Sequence, residues 1–236
     1  MAIVKDRPQR SQQARNGRSD RPVGMLKVEM ETFWLFQDYL AYFTTAKGAL
    51  TQENRMNVIE TLTQRNEVFA NSRFSAELKI MPSLKTMIIG CVDPRVDPFD
   101  IFGLGPGEAA VIRNVGGRIT PATLQTMAML RIVAKASGGD IGPGWNLIVL
   151  HHTDCGINCL VHSPELLSKY FGVAPTELGA MAITNPHKAV AVDVAALKAN
   201  PLLPGGFLVS GLVYDVTTGR VEILVPPALL RPESHA

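Results

Sequence analysis

The sequence predicts an α/β fold: a central, mostly parallel β-sheet flanked by helices, with an N-terminal helical arm and a C-terminal strand pair. Three observations carry that prediction. Continuous apolar runs of strand length occur at 86–92, 109–114 and 145–152, as expected of strands buried on both faces of a parallel sheet. A helix-period segment separates the second run from the third, so that strand, helix and strand alternate in the manner of right-handed crossover units. Finally, 207–215 and 220–225 are two β-branched runs around a Thr217-Thr218-Gly219 turn, the pattern of a hairpin.

Taken in order, residues 25–47 read as a helix, with Leu26, Met30, Phe33, Phe36 or Gln37, Leu40 and Phe43 at three- and four-residue intervals. Six of the chain's fifteen aromatic residues lie in this stretch, and its apolar residues spread over more than one face. Two readings fit: a core helix, or an arm packed on a second subunit. Thr51 with Glu53 and Asn54 opens a second helix carrying Met56, Ile59, Leu62 and Phe69 on one side, and Pro82 breaks the chain before the first strand. Pro94 and Pro98 end that strand, and a short helical turn follows over 97–104. The strand at 109–114 is read as buried and runs into Gly116-Gly117, where backbone can approach closely. Thr120 and Pro121 supply an N-cap and an N1 proline. Leu124, Met127, Leu130 and Ala134 form the apolar face of the helix they open, which Gly138-Gly139 ends. Short helical pieces fill 157–185, one starting at Ser163-Pro164-Glu165, and a helix over 187–200 stops before Pro201.

At 236 residues, with 46% apolar and 19% charged residues, the chain is a globular protein with one sizeable domain. The net charge of +2 is uneven: residues 1–24 hold six Lys/Arg against two Asp/Glu, and the remainder 17 against 19. That basic, apolar-poor segment is read as a disordered tail, with residues 25–236 forming a single domain and 25–50 its arm. The tail lacks the apolar core of a secretory signal, and its acids and missing amphipathic stripe argue against a transit peptide. No apolar run reaches the ~18 residues of a membrane span. Neither nucleic acid nor membrane is expected as a partner. Three cysteines, an odd number without a repeating framework, point to a reducing, cytoplasmic compartment.

The chemistry concentrates in Gly-Cys-Val-Asp-Pro-Arg at 90–95 and His-His-Thr-Asp-Cys-Gly at 151–156. Each follows a predicted strand, and ligand sites of parallel sheets lie beyond the carboxyl ends of the strands. Neighbouring strands lie about 4.8 Å apart, so Cys91 can share a metal with His152 and Cys155. Soft thiolates favour zinc over magnesium or calcium. Three protein ligands leave a tetrahedral metal one open position, the mark of a catalytic rather than a structural site. Asp93 and Arg95 are alternate residues facing one way in extended backbone, a carboxylate with a guanidinium clamp beside the first cysteine. His151 is read as a packed or solvent-facing residue rather than a proton shuttle, and Cys159 as a packing residue.

These residues resemble a known family. Cys91-x-Asp93-x-Arg95 followed by His152-x-x-Cys155-Gly156 is similar to the motif of the β-class carbonic anhydrases. The segments 111–117 and 209–219 resemble that family's strand with its glycine turn and its last strand with its hairpin, and the likeness runs over roughly residues 55–226. The resemblance implies that Cys91, His152 and Cys155 bind zinc and that Asp93 and Arg95 orient the zinc-bound water. It also implies that Asp93 can close onto the metal as a fourth ligand. The implied reaction is attack of zinc-bound hydroxide on carbon dioxide, giving bicarbonate and a proton, in a homodimer or an assembly of dimers. The chain departs from the common pattern at His151, where many members have Gly, and at Ile157-Asn158-Cys159, in place of a further glycine. These departures resemble a smaller branch near relatives that hydrolyse carbonyl sulfide or carbon disulfide with the same ligands. The remaining alternative is a non-catalytic zinc- or anion-binding module, against which Asp93 and Arg95 speak.

Overall fold

A computed structural model describes residues 57–231. The expected basic tail at 1–24, the arm at 25–50 and the helix start at Thr51 lie outside the described residues. The chain divides into two compact units, with the boundary between Phe74 and Ser75.

In the first unit, α1 (Val58–Ser72) begins with a reciprocal cap: Asn57 Oδ1 accepts from the Glu60 N–H at 2.9 Å, and Glu60 Oε2 accepts from the Asn57 N–H at 3.0 Å. None of its residues is buried. Past its end the Phe69 and Phe74 rings meet edge to face at 6.4 Å.

The second unit is built on a five-stranded mixed sheet in the order β2-β1-β3-β4-β5. Its strands are β1 (Thr86–Cys91), β2 (Ala109–Asn114), β3 (Asn146–His152), β4 (Leu208–Asp215) and β5 (Arg220–Leu229). The first four are parallel, and β5 returns antiparallel to β4. All six residues of β1 are buried, as its unbroken apolar run requires. The expectation of a fully buried strand at 109–114 is corrected: every residue of β2 is only half-buried, because the strand lies at the sheet edge. The strand pair extends beyond its predicted end through Pro226 and Pro227, which an edge strand tolerates because its outer N–H groups have no ladder partner.

Helices α2 (Pro98–Phe102), α3 (Pro121–Ala136), α4 (Pro164–Phe171) and α5 (Pro186–Ala199) complete the unit. Thr120 caps α3 in a reciprocal pair with Thr123, with Pro121 in the first turn, as the sequence predicts. Met127 and Ala134 of α3 and Val190, Val194 and Leu197 of α5 join Met87, Ile89, Leu147, Val149 and Val209 in one apolar core. A smaller cluster, Ile157, Leu167 and Phe171, packs α4 against the chain that follows β3. Among the described residues no helix is long and apolar enough to cross a membrane.

Gly211 sets how closely α5 lies on β4. A Cβ there would stand 2.9 Å from Val190 Cγ2, 3.1 Å from Val194 Cγ2 and 3.2 Å from Val225 Cβ. Gly211→Ala must therefore push helix from sheet, and we expect it to cost about 1–3 kcal/mol, read as a lower midpoint in urea unfolding.

Candidate metal centre

The strand register places the chemistry. In β1 and β3, Gly90 pairs with Leu150, so Cys91 ends β1 beside the two histidines that end β3. Cys155 follows three residues later, immediately before a 3-10 turn over Gly156–Leu160. The ligand atoms of Cys91, His152 and Cys155 all lie within 4.8 Å of one another, and the two sulfurs are 3.8 Å apart as free thiols.

The donors are already arranged for a metal. His152 Nδ1 is 2.8 Å from the Thr153 carbonyl. A carbonyl only accepts, so Nδ1 carries the hydrogen and Nε2 keeps its lone pair. That Nε2 is buried and has no hydrogen-bond partner. Cys91 Sγ shares a hydrogen bond with Cys155 Sγ and accepts from the Gly116 N–H at 3.3 Å and from the Asp93 N–H at 3.5 Å. The Cys155 hydrogen bond first, then His152 and these two amides, lower the Cys91 pKa against the opposing effect of burial. Cys155 moves the other way, pushed up by sharing its proton with Cys91 and by burial. One sulfur is thus poised as a thiolate, and the other retains a proton that a cation would displace.

The Gly116 N–H reaches Cys91 through a turn in which Gly116 and Gly117 both have positive φ, +82° and +65°. A Cβ on Gly117 would lie 2.9 Å from Gly90 C, 3.0 Å from Cys91 N and 3.0 Å from Leu150 O, all backbone atoms. Only glycine lets this turn rest on the ends of β1 and β3.

Asp93 and Arg95 form the expected pair. Arg95 Nε donates to Asp93 Oδ1 at 3.0 Å and Nη2 to Oδ2 at 2.7 Å, while the Arg95 backbone N–H donates to Oδ1 at 2.9 Å. These contacts hold the Asp93 carboxyl well below its usual range, at about 2. The carboxylate faces its guanidinium, and the clustered potential ligands are the two cysteines and His152.

Several functional neighbours carry no motif in the sequence. Arg95 also reaches the second loop, donating to Asp154 Oδ2 at 2.8 Å and to the Asp154 carbonyl at 3.0 Å. Arg113 of β2 donates to the Cys91 and Asp93 carbonyls at 2.8 and 2.7 Å and to Asp97 Oδ2 at 2.8 Å. An arginine within an apolar strand run was the available signal. His151 is packed, as expected: it is buried, with Nε2 3.0 Å from Asp193 Oδ2. Asp193 also pairs with Arg118, whose Nε lies 2.7 Å from Oδ2, and both side chains are about 2% exposed or less. An aspartate in the apolar stretch of a helix was the clue to this pair. Cys159 is corrected: it is exposed and does not pack, because the 3-10 turn directs Ile157 inward instead.

Comparison with known proteins agrees with this geometry. Residues 86–170 match the family model described as carbonic anhydrase. The β-carbonic anhydrase 1 of Mycobacterium tuberculosis is 27% identical over 163 residues, covering 68% of this chain and 94% of that protein. The crystal structure of carbonic anhydrase from Streptococcus mutans superposes with a TM-score of 0.55 at 28% identity, over 72% of this chain and 98% of the other. Residues 86–170 thus carry the likeness of a carbonic anhydrase, and the chain resembles the β-class members of that family. There is also likeness to a carbon disulfide hydrolase from an Acidianus species, 25% identical over 162 residues, 57% of this chain and 74% of that one.

The Asp93–Arg95 pair gives a pH test. Asp93's pKa near 2 lies below the ordinary ~3.9 of an unfolded aspartate. Its pairing therefore contributes stability that is fully present above about pH 4 and is lost as the pH falls toward 2. In metal-free protein, Arg95→Ala should flatten the fall of the urea midpoint over that window and return the Asp93 carboxyl titration, followed by NMR, toward the ordinary value.

Proposed function

We propose that this chain is a zinc enzyme that reversibly hydrates carbon dioxide to bicarbonate and a proton. Cys91, His152 and Cys155 are the zinc ligands in this reading, and Asp93 with Arg95 is the pair that manages the reacting water. The observation that carries it is the convergence of two sulfurs and one unpartnered ring nitrogen beside a carboxylate held ionised by a guanidinium. The donors suit the ion: thiolate and imidazole are ligands of zinc, and three of them leave a coordination position open.

A zinc ion there supplies a Lewis acid that brings the pKa of a water it binds to about 7. The protein's own groups do the rest. Asp93, ionised and acceptor-only, takes a hydrogen bond from the attacking water and orients its lone pair. Arg95 holds that carboxylate by a two-point grip, so the acceptor neither rotates nor picks up a proton at working pH. The Thr153 carbonyl fixes the His152 ring with Nε2 toward the sulfurs, and the Gly116 N–H steadies the Cys91 thiolate. Under the same proposal Asp93 can exchange its Arg95 contacts for the metal and close the site.

The second reading, hydrolysis of carbon disulfide by the same residues, is favoured by one observation, the likeness to the Acidianus carbon disulfide hydrolase. We place the enzyme in the cytoplasm as a homodimer or an assembly of dimers. Its three cysteines as thiols and the exposed apolar strip of Met129, Ile132 and Val133 on α3 support this.

Stopped-flow hydration of carbon dioxide beside sulfide release from carbon disulfide, on one zinc-loaded preparation, should give rapid hydration and little sulfide. The opposite outcome would select the second reading. Asp93→Ala is expected to lower carbon dioxide kcat/KM by roughly a hundredfold or more with zinc content kept, and full turnover in that variant would remove the assigned role. Cys155→Ser should lose zinc by elemental analysis while keeping the wild-type far-ultraviolet circular dichroism.

A further inference from the structure

Behind the ligand cluster lies a cavity of about 10 Å³ bordered by Gly116, Arg118, His152, Cys155, Ile157 and Asn158. Among the described residues, three buried side-chain polar atoms have no hydrogen-bond partner: Arg118 Nη1, His152 Nε2 and Asn158 Oδ1. All three belong to residues lining this cavity. The metal reading accounts for His152 Nε2. It leaves one donor and one acceptor, unbonded to each other, on two residues that line the same small space.

Arg118 is held from every other side. Nε donates to Asp193 Oδ2 at 2.7 Å, Nη2 donates to the Met181 carbonyl at 2.8 Å, and the guanidinium stacks 4.8 Å from the centre of the Phe171 ring. It is 1% exposed, so bulk water does not reach Nη1. Asn158 belongs to the turn after Cys155, and its backbone N–H donates to the Cys155 carbonyl at 3.1 Å. An interior guanidinium N–H and an interior amide oxygen without partners are both costly.

We infer that this cavity binds one water molecule, which accepts a hydrogen bond from Arg118 Nη1, donates one to Asn158 Oδ1, and so ties the Cys155 turn to the buried Arg118–Asp193–His151 cluster. The chemistry fixes the direction, since guanidinium only donates and an amide oxygen only accepts. A buried water needs about 10–15 Å³ and two to four polar partners, and the space here suits one water. Two of the places where the sequence departs from the common family pattern, His151 and Ile157-Asn158, are gathered at this cavity. Asn158 is thereby a positioning residue: it acts on Cys155 through a turn and a water, not on the reacting atoms.

The test uses the full chain. Crystals of metal-free and zinc-loaded wild type, at a resolution that shows ordered water, should contain one water within hydrogen-bond distance of both Arg118 Nη1 and Asn158 Oδ1. Asn158→Leu, which fills the space and removes the acceptor, should lose that water and release zinc to a chromogenic chelator roughly tenfold faster. Asn158→Ser, which keeps a hydroxyl acceptor, should retain the water and release zinc near the wild-type rate, and it serves if the leucine variant does not fold. A dry cavity, a direct Arg118–Asn158 hydrogen bond, or wild-type zinc release from a folded Asn158→Leu would overturn the inference. The release arm rests on the zinc reading, but the metal-free crystal does not. A wild type that takes up no zinc would refute that reading while the water is still decided by the crystal.

Discussion

The site depends on one constraint, the parallel register in which Gly90 of β1 stands beside Leu150 of β3. Parallel strands bring their carboxyl ends to the same edge of a sheet, and a central pair is covered on both faces by helices and loops. Cys91 and His152 therefore arrive together without a local device. A shift of either strand by one residue would turn the cysteine to the opposite face of the sheet. The buried run Thr86–Cys91 and the apolar core beneath it make such a slip expensive, so the stability of the sheet and the geometry of the donors are the same quantity.

What remains is to hold the loops that leave those strand ends, and three arginines do this. Arg95 spans the two ligand loops on the solvent side, taking Asp93 with two donors and Asp154 with others. Arg113 reaches across from β2 and fixes the Cys91 and Asp93 carbonyls. Arg118 anchors the inner side through Asp193, Met181 and the Phe171 ring. A planar guanidinium with five fixed donors suits each task, because one side chain can tie several carbonyl or carboxylate oxygens that belong to different elements.

The sheet and the gathering of Cys91, His152 and Cys155 were legible in the sequence because both leave strong local signals. Apolar runs of strand length mark buried strands, and cysteines and a histidine at the ends of such runs are hard to explain otherwise. The edge position of β2 was not legible, since Ala109–Asn114 is as apolar as a central strand and only its pairing partner shows where it lies. Cys159 misled for a related reason: the 3-10 turn spaces side chains differently from the α-helix expected there. The Arg118–Asp193 pair joins residues 75 apart in the chain. Neither partner has a motif, and only the packing of α5 on the sheet brings them together.

The two layers of arginine contact have different energetic weight, and that difference bears on function. Arg95 and Asp154 are substantially exposed, so their ion pair is screened by water and contributes little to stability. Its value is geometric: it joins the loop bearing Asp93 to the loop bearing Cys155. The Arg118–Asp193 pair is desolvated, and removing either partner would strand a charge in the interior. The inner side of the cluster is thus the desolvated one and the outer side the one screened by water. The sulfur and imidazole cluster lies against the strand ends, where Gly117 is too close to the strand backbone to permit any other residue.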